Sequence, residues 1–379
     1  MKYLLTHAHL IIDDNREYLD GALLIEDEII VDVFNQSNKL PDISDDYQII
    51  DLGNSIVMPG HFDSHTHGAI NISFDDCDLK QMDEVSYQFA KDGSTSFLAT
   101  LSYNLSKENI LKQISLFNEY DGLYSRFHGI HLEGPFLNKK HLGIGKPENF
   151  LDPDIGFVEK IIETSNKVKQ MSIACELDNT KDIIDLLVKN NIRVMCGHSD
   201  ACLDDLNENV SGFTHLFNAM RGLHHRDITL VNCAFMNKWY CEVIGDGVHI
   251  DKNVLNIIMN NIHKDLIILI SDSSIARGLE DGEYTFIGNK CIKKGNVIKT
   301  IDNHLAGSVV SINDELKVLL SLGAKYTDLL AYSSLNAYRL YGLEKRFGSL
   351  EKGKYADIVI SDDDLNIKNV YVRGKFIYA

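Results

Sequence analysis

Residues 59–68 read PGHFDSHTHG and place His65 and His67 one residue apart, just after the apolar run SIVM. Side chains two positions apart on a strand point to the same side, so both imidazoles can reach one metal ion. A single His-x-His pair also occurs for purely structural reasons. The rest of the sequence has to decide between a metal site and a coincidence.

Strand-like apolar runs alternate with amphipathic stretches through the middle of the chain. Stretches such as 79–93, 182–191 and 254–265 carry apolar residues at three- and four-residue spacing, which predicts helices. The strand-like runs are SIVMPG, STSFLATL, RFHGIHLE, QMSIACEL, IRVMCGHS, GFTHLF, CEVIGDG and LIILISDS. Eight alternations of strand and helix predict an α/β fold, a parallel (β/α)8 TIM-like barrel.

Both ends of the chain have a different texture, with short β-branched runs divided by Asp, Asn and Gly. We expect residues 1–55 and 345–379 to form one discontinuous small β-sandwich domain. The barrel would then comprise residues 56–344.

Composition limits the possible partners. The chain has 379 residues and a formal net charge of −18, which disfavours binding to nucleic acid or to anionic membranes. An anionic small substrate would need a local group of cations or backbone amides.

We expect neither a signal peptide nor a membrane span. The seven cysteines include no C-x-x-C pair and favour buried reduced thiols, so we expect a cytoplasmic protein.

Polar residues at the carboxyl ends of the predicted strands are the candidates for chemistry, because barrel enzymes work at that face. Each has an ordinary explanation alone, but chance would rarely gather all of them at one rim. Imidazole and carboxylate ligands without thiolate favour zinc, iron, manganese or cobalt. The candidates are His65, His67, Glu133, His198, His215 and Asp272.

These residues divide into possible ligands and a proton carrier. His65 and His67 can hold one ion and His198 and His215 a second, with Glu133 between the two groups. We therefore expect one or two divalent transition-metal ions per subunit. Asp272 would accept a proton from a water and return it to a leaving group.

Other polar residues near the rim have weaker cases. His131 lies one layer deeper and is expected to pack in the core or to support the ligands. Glu176 ends the fourth predicted strand and can be an uninvolved carboxylate. His224, His225 and Arg226 form a cationic cluster that is either a solvated loop or an anion site.

Taken together, these segments resemble the N-acetylglucosamine-6-phosphate deacetylases of the amidohydrolase superfamily. PGHFDSHTHG, HLEGPF, GHSDA, THLFNAM, GDGVHI, LISDS, LAGS and GSLEKGKYADIVI occur in the family's order, from about residue 50 to about residue 360. THLFNAM and HLEGPF are the most diagnostic. The resemblance implies hydrolysis of an N-acetylated amino-sugar 6-phosphate to acetate and glucosamine 6-phosphate. It also implies a homodimer and a role in amino-sugar catabolism or cell-wall recycling.

The resemblance implies individual roles as well. Glu133, His198 and His215 would hold the principal metal, and His65 and His67 a second position that some members lack. Asp272 would be the general base and then the acid. Arg226 would reach the substrate phosphate, in this family usually from the neighbouring subunit, with a planar fork of donors suited to that group. The further substrate-binding candidates are Asn218, Ala219, Asp246, His249, Leu305, Ala306, Gly307, Ile144 and Gly145.

The sequence departs from the family pattern at several places. Gly145 occupies the position, twelve residues beyond Glu133, where members usually carry a His or Gln that polarises the amide carbonyl. His141 is nearby but out of register. The family's T-D-A is S-D-S around Asp272, its N-P-A is LNAY, and the fourth strand lacks a proline. Only the change at Gly145 touches the chemistry, and it leaves the substrate open.

Three alternatives remain. Deacetylation of the galactosamine epimer would use the same residues. A cyclic-amide hydrolase such as dihydroorotase commonly uses a carboxylated lysine from strand 4, whereas strand 4 here ends in Glu176 without a lysine. A non-catalytic scaffold would typically have lost ligands or the aspartate, and all are present here.

Overall fold

The computed structural model describes residues 1–378. Within them the strands are, in chain order, β1 (Lys2–Ile11), β2 (Glu17–Glu26), β3 (Ile29–Phe34), β4 (Gln48–Asp51), β5 (Ile56–Pro59), β6 (His61–Thr66), β7 (Gly68–Ala69), β8 (Ile72–Ser73), β9 (Ser94–Leu101), β10 (Arg126–Glu133), β11 (Val168–Ile173), β12 (Arg193–Cys196), β13 (Gly212–Phe213), β14 (Tyr240–Val243), β15 (Ile267–Leu269), β16 (Gly282–Phe286), β17 (Asn289–Lys294), β18 (Val297–Thr300), β19 (Ile358–Ser361), β20 (Ile367–Val372) and β21 (Lys375–Tyr378).

The α-helices are α1 (Leu79–Lys91), α2 (Lys107–Phe117), α3 (Ile155–Thr164), α4 (Thr180–Lys189), α5 (Leu230–Ala234), α6 (Lys252–Asn261), α7 (Ile312–Ser321), α8 (Tyr326–Leu330) and α9 (Asn336–Tyr341). A π-helical turn, Ala331–Leu335, joins α8 to α9. Within the described residues, no helix combines the length and the apolar character that crossing a bilayer requires.

The predicted barrel is confirmed. β6 and β9 to β15 lie side by side in chain order, and every hydrogen-bonded pair among them is parallel. β9 and β10 match the predicted runs residue for residue. The later strands are shorter than predicted: β13 contains two residues and β15 ends at Leu269, so the chemistry-bearing residues after them lie on loops.

Backbone hydrogen bonds close the barrel between its first and last strands at the carboxyl end. The Asp272 amide donates to the His65 carbonyl at 2.8 Å, and the His67 amide donates to the Ser273 carbonyl at 2.9 Å. This seam holds Asp272 directly beside the His-x-His pair.

The two chain ends form one small β unit, as predicted. β1 to β5 join β19, β20 and β21 in an eight-stranded sheet. The prediction that SIVMPG is the first barrel strand is wrong, because Ile56–Pro59 pairs with β1 and β19 of this sheet. The chain enters the barrel only at His61. The domain boundaries at 55/56 and 344/345 stay predictions.

Helix starts and core positions follow from the sequence. Asp78 and Ser311 cap α1 and α7 with their side chains, each in a reciprocal capping box that satisfies otherwise unpaired amides. The amphipathic face of α1 buries Met82, Val85 and Phe89 against the barrel. At the amino end of the barrel, a second apolar cluster fills the interior with Phe62, Leu98, Met195, Ile268, Ile270 and Tyr338.

A three-stranded antiparallel sheet, β16 to β18, follows the last barrel strand and was not predicted. Its strands are short, and within them only Phe286, Cys291 and Ile298 are buried, so they carry little periodic apolar signal. The hairpin tip after Phe286 reaches the carboxyl-end face of the barrel, where Phe286 and Ile287 line the cavity described next.

Candidate metal centre and substrate cavity

Glu133, His198 and His215 come together at the carboxyl-end rim of the barrel. Glu133 Oε1 lies 3.1 Å from His198 Nε2 and 3.2 Å from His215 Nε2, and the two Nε2 atoms are 3.1 Å apart. All three side chains are almost completely buried. Ligands bound at about 2.0–2.2 Å in tetrahedral geometry lie about 3.3–3.6 Å apart. The triangle therefore has nearly the dimensions of one face of a tetrahedral metal site.

His65 and His67 form a second, looser group on the other side of Glu133. His67 Nε2 lies 3.3 Å from Glu133 Oε2, and His65 Nε2 lies 3.7 Å from Glu133 Oε1. Asp272 Oδ1 is 3.4 Å from His65 Nε2 and 3.3 Å from His67 Nε2. Glu133 thus contributes atoms to both groups that can hold a metal within the described residues.

The strand ends present these side chains through strained backbone. His198, His215 and Asp272 have φ of 46°, 28° and 45°, in the left-handed region that non-glycine residues avoid at a cost of order 1–3 kcal/mol each. Neighbouring backbone hydrogen bonds hold them there: the Asn138 amide donates to the His198 carbonyl, and the Ser308 amide donates to the Asp272 carbonyl. The inward turn after each short strand explains why residues beyond the strand reach the centre.

One backbone contact fixes the tautomer of His198. Its Nδ1 lies 2.7 Å from the His141 carbonyl oxygen, which can only accept, so Nδ1 carries the proton. The Nε2 lone pair is then directed to Glu133 and His215, as in a histidine that ligates a metal.

The charges of the centre call for a cation. Burial alone would raise the pKa of Glu133, but the imidazoles of His198, His215 and His67 around its oxygens lower that pKa well below its usual range. Burial alone would lower the pKa of His67, but Asp272 and Glu133 raise it to about 10. The carboxylates thus demand positive charge at the point where the two imidazole groups meet.

The residues fit a divalent ion on independent grounds. His65 Nε2 and Nδ1, both buried, have no hydrogen-bond partner within the described residues, a costly arrangement unless a ligand satisfies them. The donor set of imidazole nitrogen and carboxylate oxygen suits the transition metals expected from the sequence.

A cavity of about 150 Å³ opens above the centre. It contains most of the predicted site residues: His67, Glu133, His198, His215, Asp272, Asn218, Ala219, His249, Leu305, Gly307 and Ile144. His65 lies beneath it and is fully buried. Residues predicted from distant segments therefore surround one small space, although their roles toward a substrate stay predictions.

Four predicted substrate residues do not line this cavity. Asp246 lies behind His249, whose Nδ1 is 2.7 Å from its Oδ2, so it orients that imidazole. Ala306 is buried among apolar side chains. At Gly145, a Cβ would lie 2.7 Å from a Tyr103 ring carbon, leaving no room for a side chain. Arg226 is exposed on the loop after the barrel's sixth strand.

Gly307 has a clear structural reason to be glycine. Its φ is 63°, and a Cβ there would lie 2.8 Å from the Asp272 carbonyl oxygen. The close approach packs the 305–307 segment against the residue predicted to carry the proton.

The sequence analysis missed several cavity residues. Tyr103, Phe286, Ile287 and Gly143 line the space, and the Tyr103 ring centre lies 5.3 Å from that of His198. Burial raises the pKa of Tyr103 well above its usual value, so its hydroxyl stays protonated and can donate a hydrogen bond. The one local signal for Tyr103 in the sequence is its position two residues after the end of β9.

The weaker candidates have structural roles. His131 is fully buried between Thr100 Oγ1 and Ser172 Oγ, at 3.2 and 2.8 Å, under the His65 ring. Burial lowers its pKa well below the usual value, so it is a neutral core histidine. Glu176 is not an uninvolved carboxylate, since it accepts hydrogen bonds from Asn138 and Ser199 and ties neighbouring loops together.

This chain has a TIM-like barrel, and at the carboxyl end of that barrel one carboxylate is shared by two pairs of imidazoles. These two features define the class of protein as a metal-dependent hydrolase. The sequence model of the amidohydrolase family matches residues 154–377. An N-acetylgalactosamine-6-phosphate deacetylase from Escherichia coli O157:H7 is 27% identical, over 98% of this chain and 97% of the relative. An N-acetylglucosamine-6-phosphate deacetylase from Bacillus subtilis is 30% identical, over 97% and 95%.

A solved structure agrees with these relatives. A mutant N-acetyl-D-glucosamine-6-phosphate deacetylase from Mycobacterium smegmatis, in complex with N-acetyl-D-glucosamine 6-phosphate, superposes with a TM-score of 0.90 and 25% identity, covering 100% of both chains. The chain belongs to the amidohydrolase family and, within it, to the N-acetylglucosamine-6-phosphate deacetylases.

Proposed function

We propose that this chain hydrolyses the N-acetyl group of N-acetylglucosamine 6-phosphate, giving glucosamine 6-phosphate and acetate. The observation that carries the proposal is Glu133, placed between two imidazole pairs with Asp272 Oδ1 within 3.4 Å of both His65 and His67. Relatives of both hexosamine 6-phosphate types match nearly the whole chain.

The residues divide the chemistry among them. Glu133, His198 and His215 would hold a divalent ion, which would lower the pKa of a water and polarise the amide carbonyl. Asp272 accepts the proton that the water loses as its oxygen bonds to the acetyl carbon, and returns that proton to the amine nitrogen as the C–N bond breaks. Burial alone would raise the pKa of Asp272, but His65 and His67 lower it, so its carboxylate is ready to accept the proton.

His249 is placed to read a sugar hydroxyl. Its Nδ1 donates to Asp246, whose other oxygen accepts the Val248 and His249 amides at 2.8 Å. Because Nδ1 is engaged with Asp246, Nε2 is the ring nitrogen left to contact a substrate in the cavity that His249 lines. This arrangement fixes the imidazole before substrate arrives.

The metal is zinc, iron, manganese or cobalt, and we propose one or two ions per subunit. The ligand chemistry excludes thiolate and supports this group of metals. The compact triangle around Glu133 Oε1 supports this as the principal position, with His65 and His67 at the second.

The substrate phosphate would be held by Arg226 of a neighbouring subunit in a homodimer, with Asn218 and Ala219 closer to the sugar. Arg226 is exposed and outside the cavity of its own subunit, which fits a role across an interface. Leu223, 61% exposed on the same loop, supplies an apolar side chain that an interface would cover.

We infer that the enzyme acts in the cytoplasm. All seven cysteines are free thiols, and six of them are buried. Unpaired cysteines in this number fit a reducing compartment.

N-acetylgalactosamine 6-phosphate is a second candidate substrate. The relative from Escherichia coli carries that name and matches 98% of this chain. The two sugars differ at one hydroxyl, so discrimination depends on cavity contacts such as that of His249.

Acetate release from both N-acetylhexosamine 6-phosphates and from their unphosphorylated forms tests the proposal. We expect the glucosamine 6-phosphate derivative to have the largest kcat/KM and the unphosphorylated sugars a much smaller one. Equal rates with and without phosphate would remove the anion-binding role of Arg226. A preference for the galactosamine epimer would favour the second candidate.

Two controls separate the remaining alternatives. Dihydroorotate and other cyclic amides should not be hydrolysed. Elemental analysis of the purified protein should find transition metal, since a non-catalytic scaffold would carry little. Activity on cyclic amides alone, or the absence of both metal and acetate release, would contradict the proposed function.

A further inference from the structure

Glu242 is a buried carboxylate beneath the metal centre to which the mechanism gives no task. It lies on β14, faces the barrel interior and is completely buried. Its Oε2 has no hydrogen-bond partner within the described residues and lies 3.5 Å from His65 Nδ1. His65 Nδ1 is likewise buried without a partner. Two complementary atoms thus face each other, each without a hydrogen-bond partner within the described residues.

The other oxygen of Glu242 is firmly held. Gln170 Nε2 donates to Glu242 Oε1 at 2.8 Å, and the Tyr341 hydroxyl donates to Gln170 Oε1 at 2.6 Å. These bonds leave Oε2 as the free end of an ordered chain from α9 through the barrel. Because the Gln170 amide has its oxygen occupied by Tyr341, its nitrogen is oriented to donate.

This series of hydrogen-bonding groups continues through His65 to the metal position. A proton on Nδ1 directed to Glu242 leaves the Nε2 lone pair facing Glu133 and Asp272, at 3.7 and 3.4 Å. The 3.5 Å between His65 Nδ1 and Glu242 Oε2 is longer than an ordinary N–H···O hydrogen bond, so a full bond would need the imidazole to rotate toward the carboxylate. A ligating histidine normally has such an acceptor behind it.

We propose that Glu242 is a positioning residue that fixes the tautomer and orientation of His65, and so builds the second metal position. The inference rests on the metal requirement of the proposed function. It explains why a carboxylate, expensive to bury without a partner, stands in the interior of the barrel.

Metal affinity measured on two variants tests the proposal. Glu242→Leu removes the acceptor and fills similar volume, and Glu242→Gln removes the charge while keeping the shape. We titrate chelator-treated protein with Zn²⁺ against a competing chelator and determine Kd for each equivalent. We expect Kd for the second equivalent to rise about 10- to 100-fold in Glu242→Leu and less in Glu242→Gln, with the first equivalent unchanged.

Glu315 offers a matched control. It is also a completely buried glutamate, and both of its carboxylate oxygens lack a hydrogen-bond partner within the described residues. Glu315→Leu should leave both metal affinities unchanged. Thermal unfolding of chelated protein shows whether each variant folds, and replacing a buried carboxylate by leucine should not lower the melting temperature in either case.

A second measurement does not depend on affinity. In Zn²⁺-loaded protein, the nuclear magnetic resonance spectrum should show a His65 Nδ1–H proton that is protected from exchange and is lost in Glu242→Leu. Unchanged affinity for both equivalents in Glu242→Leu, or a wild-type chain that binds a single equivalent, would overturn the inference. Acetate release by the wild type separates the two claims, since it can succeed while this inference fails.

Discussion

Asp272→Asn isolates the proton transfer from the metal site. Asparagine keeps the shape and tolerates the left-handed backbone that Asp272 adopts at φ 45°. It has no carboxylate to accept the proton of the attacking water or to return it to the amine. The ligand triangle of Glu133, His198 and His215 does not include Asp272, so the metal should stay bound.

The expected fall in kcat follows from the two proton transfers that the Asp272 carboxylate carries out. A positioned acid or base contributes about 10²- to 10⁴-fold to a rate. Because Asp272 serves both proton transfers, we expect the upper end, a fall in kcat of about 10³- to 10⁴-fold. This corresponds to about 4–5.5 kcal/mol in the activation barrier. KM should change little, since asparagine has nearly the same shape as the aspartate it replaces in the cavity lining.

The assay combines acetate release with elemental analysis of the same preparation. Asp251→Asn is the matched control, because Asp251 caps α6 near the rim and asparagine caps a helix equally well. The control should keep full activity and full metal. The reasoning is refuted if Asp272→Asn retains more than a tenth of the wild-type kcat. It is also refuted if the variant loses its metal, because Asp272 would then be a ligand.

Three further perturbations follow from the structure. Arg226→Ala should lower kcat/KM for the phosphorylated sugar about 10- to 150-fold, as expected for lost bonds to a charged group, without affecting the unphosphorylated sugar; equal losses on both would contradict its role. Gly145→Ala places a Cβ 2.7 Å from the Tyr103 ring and should lower the free energy of unfolding in urea by about 1–3 kcal/mol. Gly222→Ala, with open space around it, should leave that free energy unchanged. Similar effects of the two substitutions would contradict the packing argument. Burial lowers the pKa of His61 to about 4, below the value of about 6.5 in the unfolded chain. Below pH 6.5 the unfolded state therefore binds a proton that the folded state does not, and the free energy of unfolding falls. From pH 7 to pH 5, chelated wild type should therefore lose about 2 kcal/mol more unfolding free energy than His61→Gln, and parallel curves would contradict this.

The barrel could be predicted because each of its strands has a recognisable local sequence pattern. β9 and β10 are apolar runs of strand length bounded by turn residues, and the structure has them at the predicted bounds. The prediction placed SIVMPG in the wrong sheet because an apolar run indicates that a strand is buried but not which strands it pairs with. The run pairs with β1 and β19, and the barrel begins only after Gly60.

The clustering of the candidate metal ligands could be predicted because the strand ends of a barrel meet at one face. His65, His198 and His215 are distant in sequence yet end strands that meet at one rim. Glu242 could not be predicted, for the opposite reason. Glu242 sits inside a strand, and its importance comes only from an imidazole more than 170 positions away. No local pattern reports such a pairing.

Anomalous X-ray diffraction at the zinc edge, from crystals grown with Zn²⁺, tests the central claim most directly. We expect a peak about 2.0–2.2 Å from Glu133 Oε1, His198 Nε2 and His215 Nε2 together. A crystal with those side chains ordered and no peak among them, or with the ion bound elsewhere, would contradict the account.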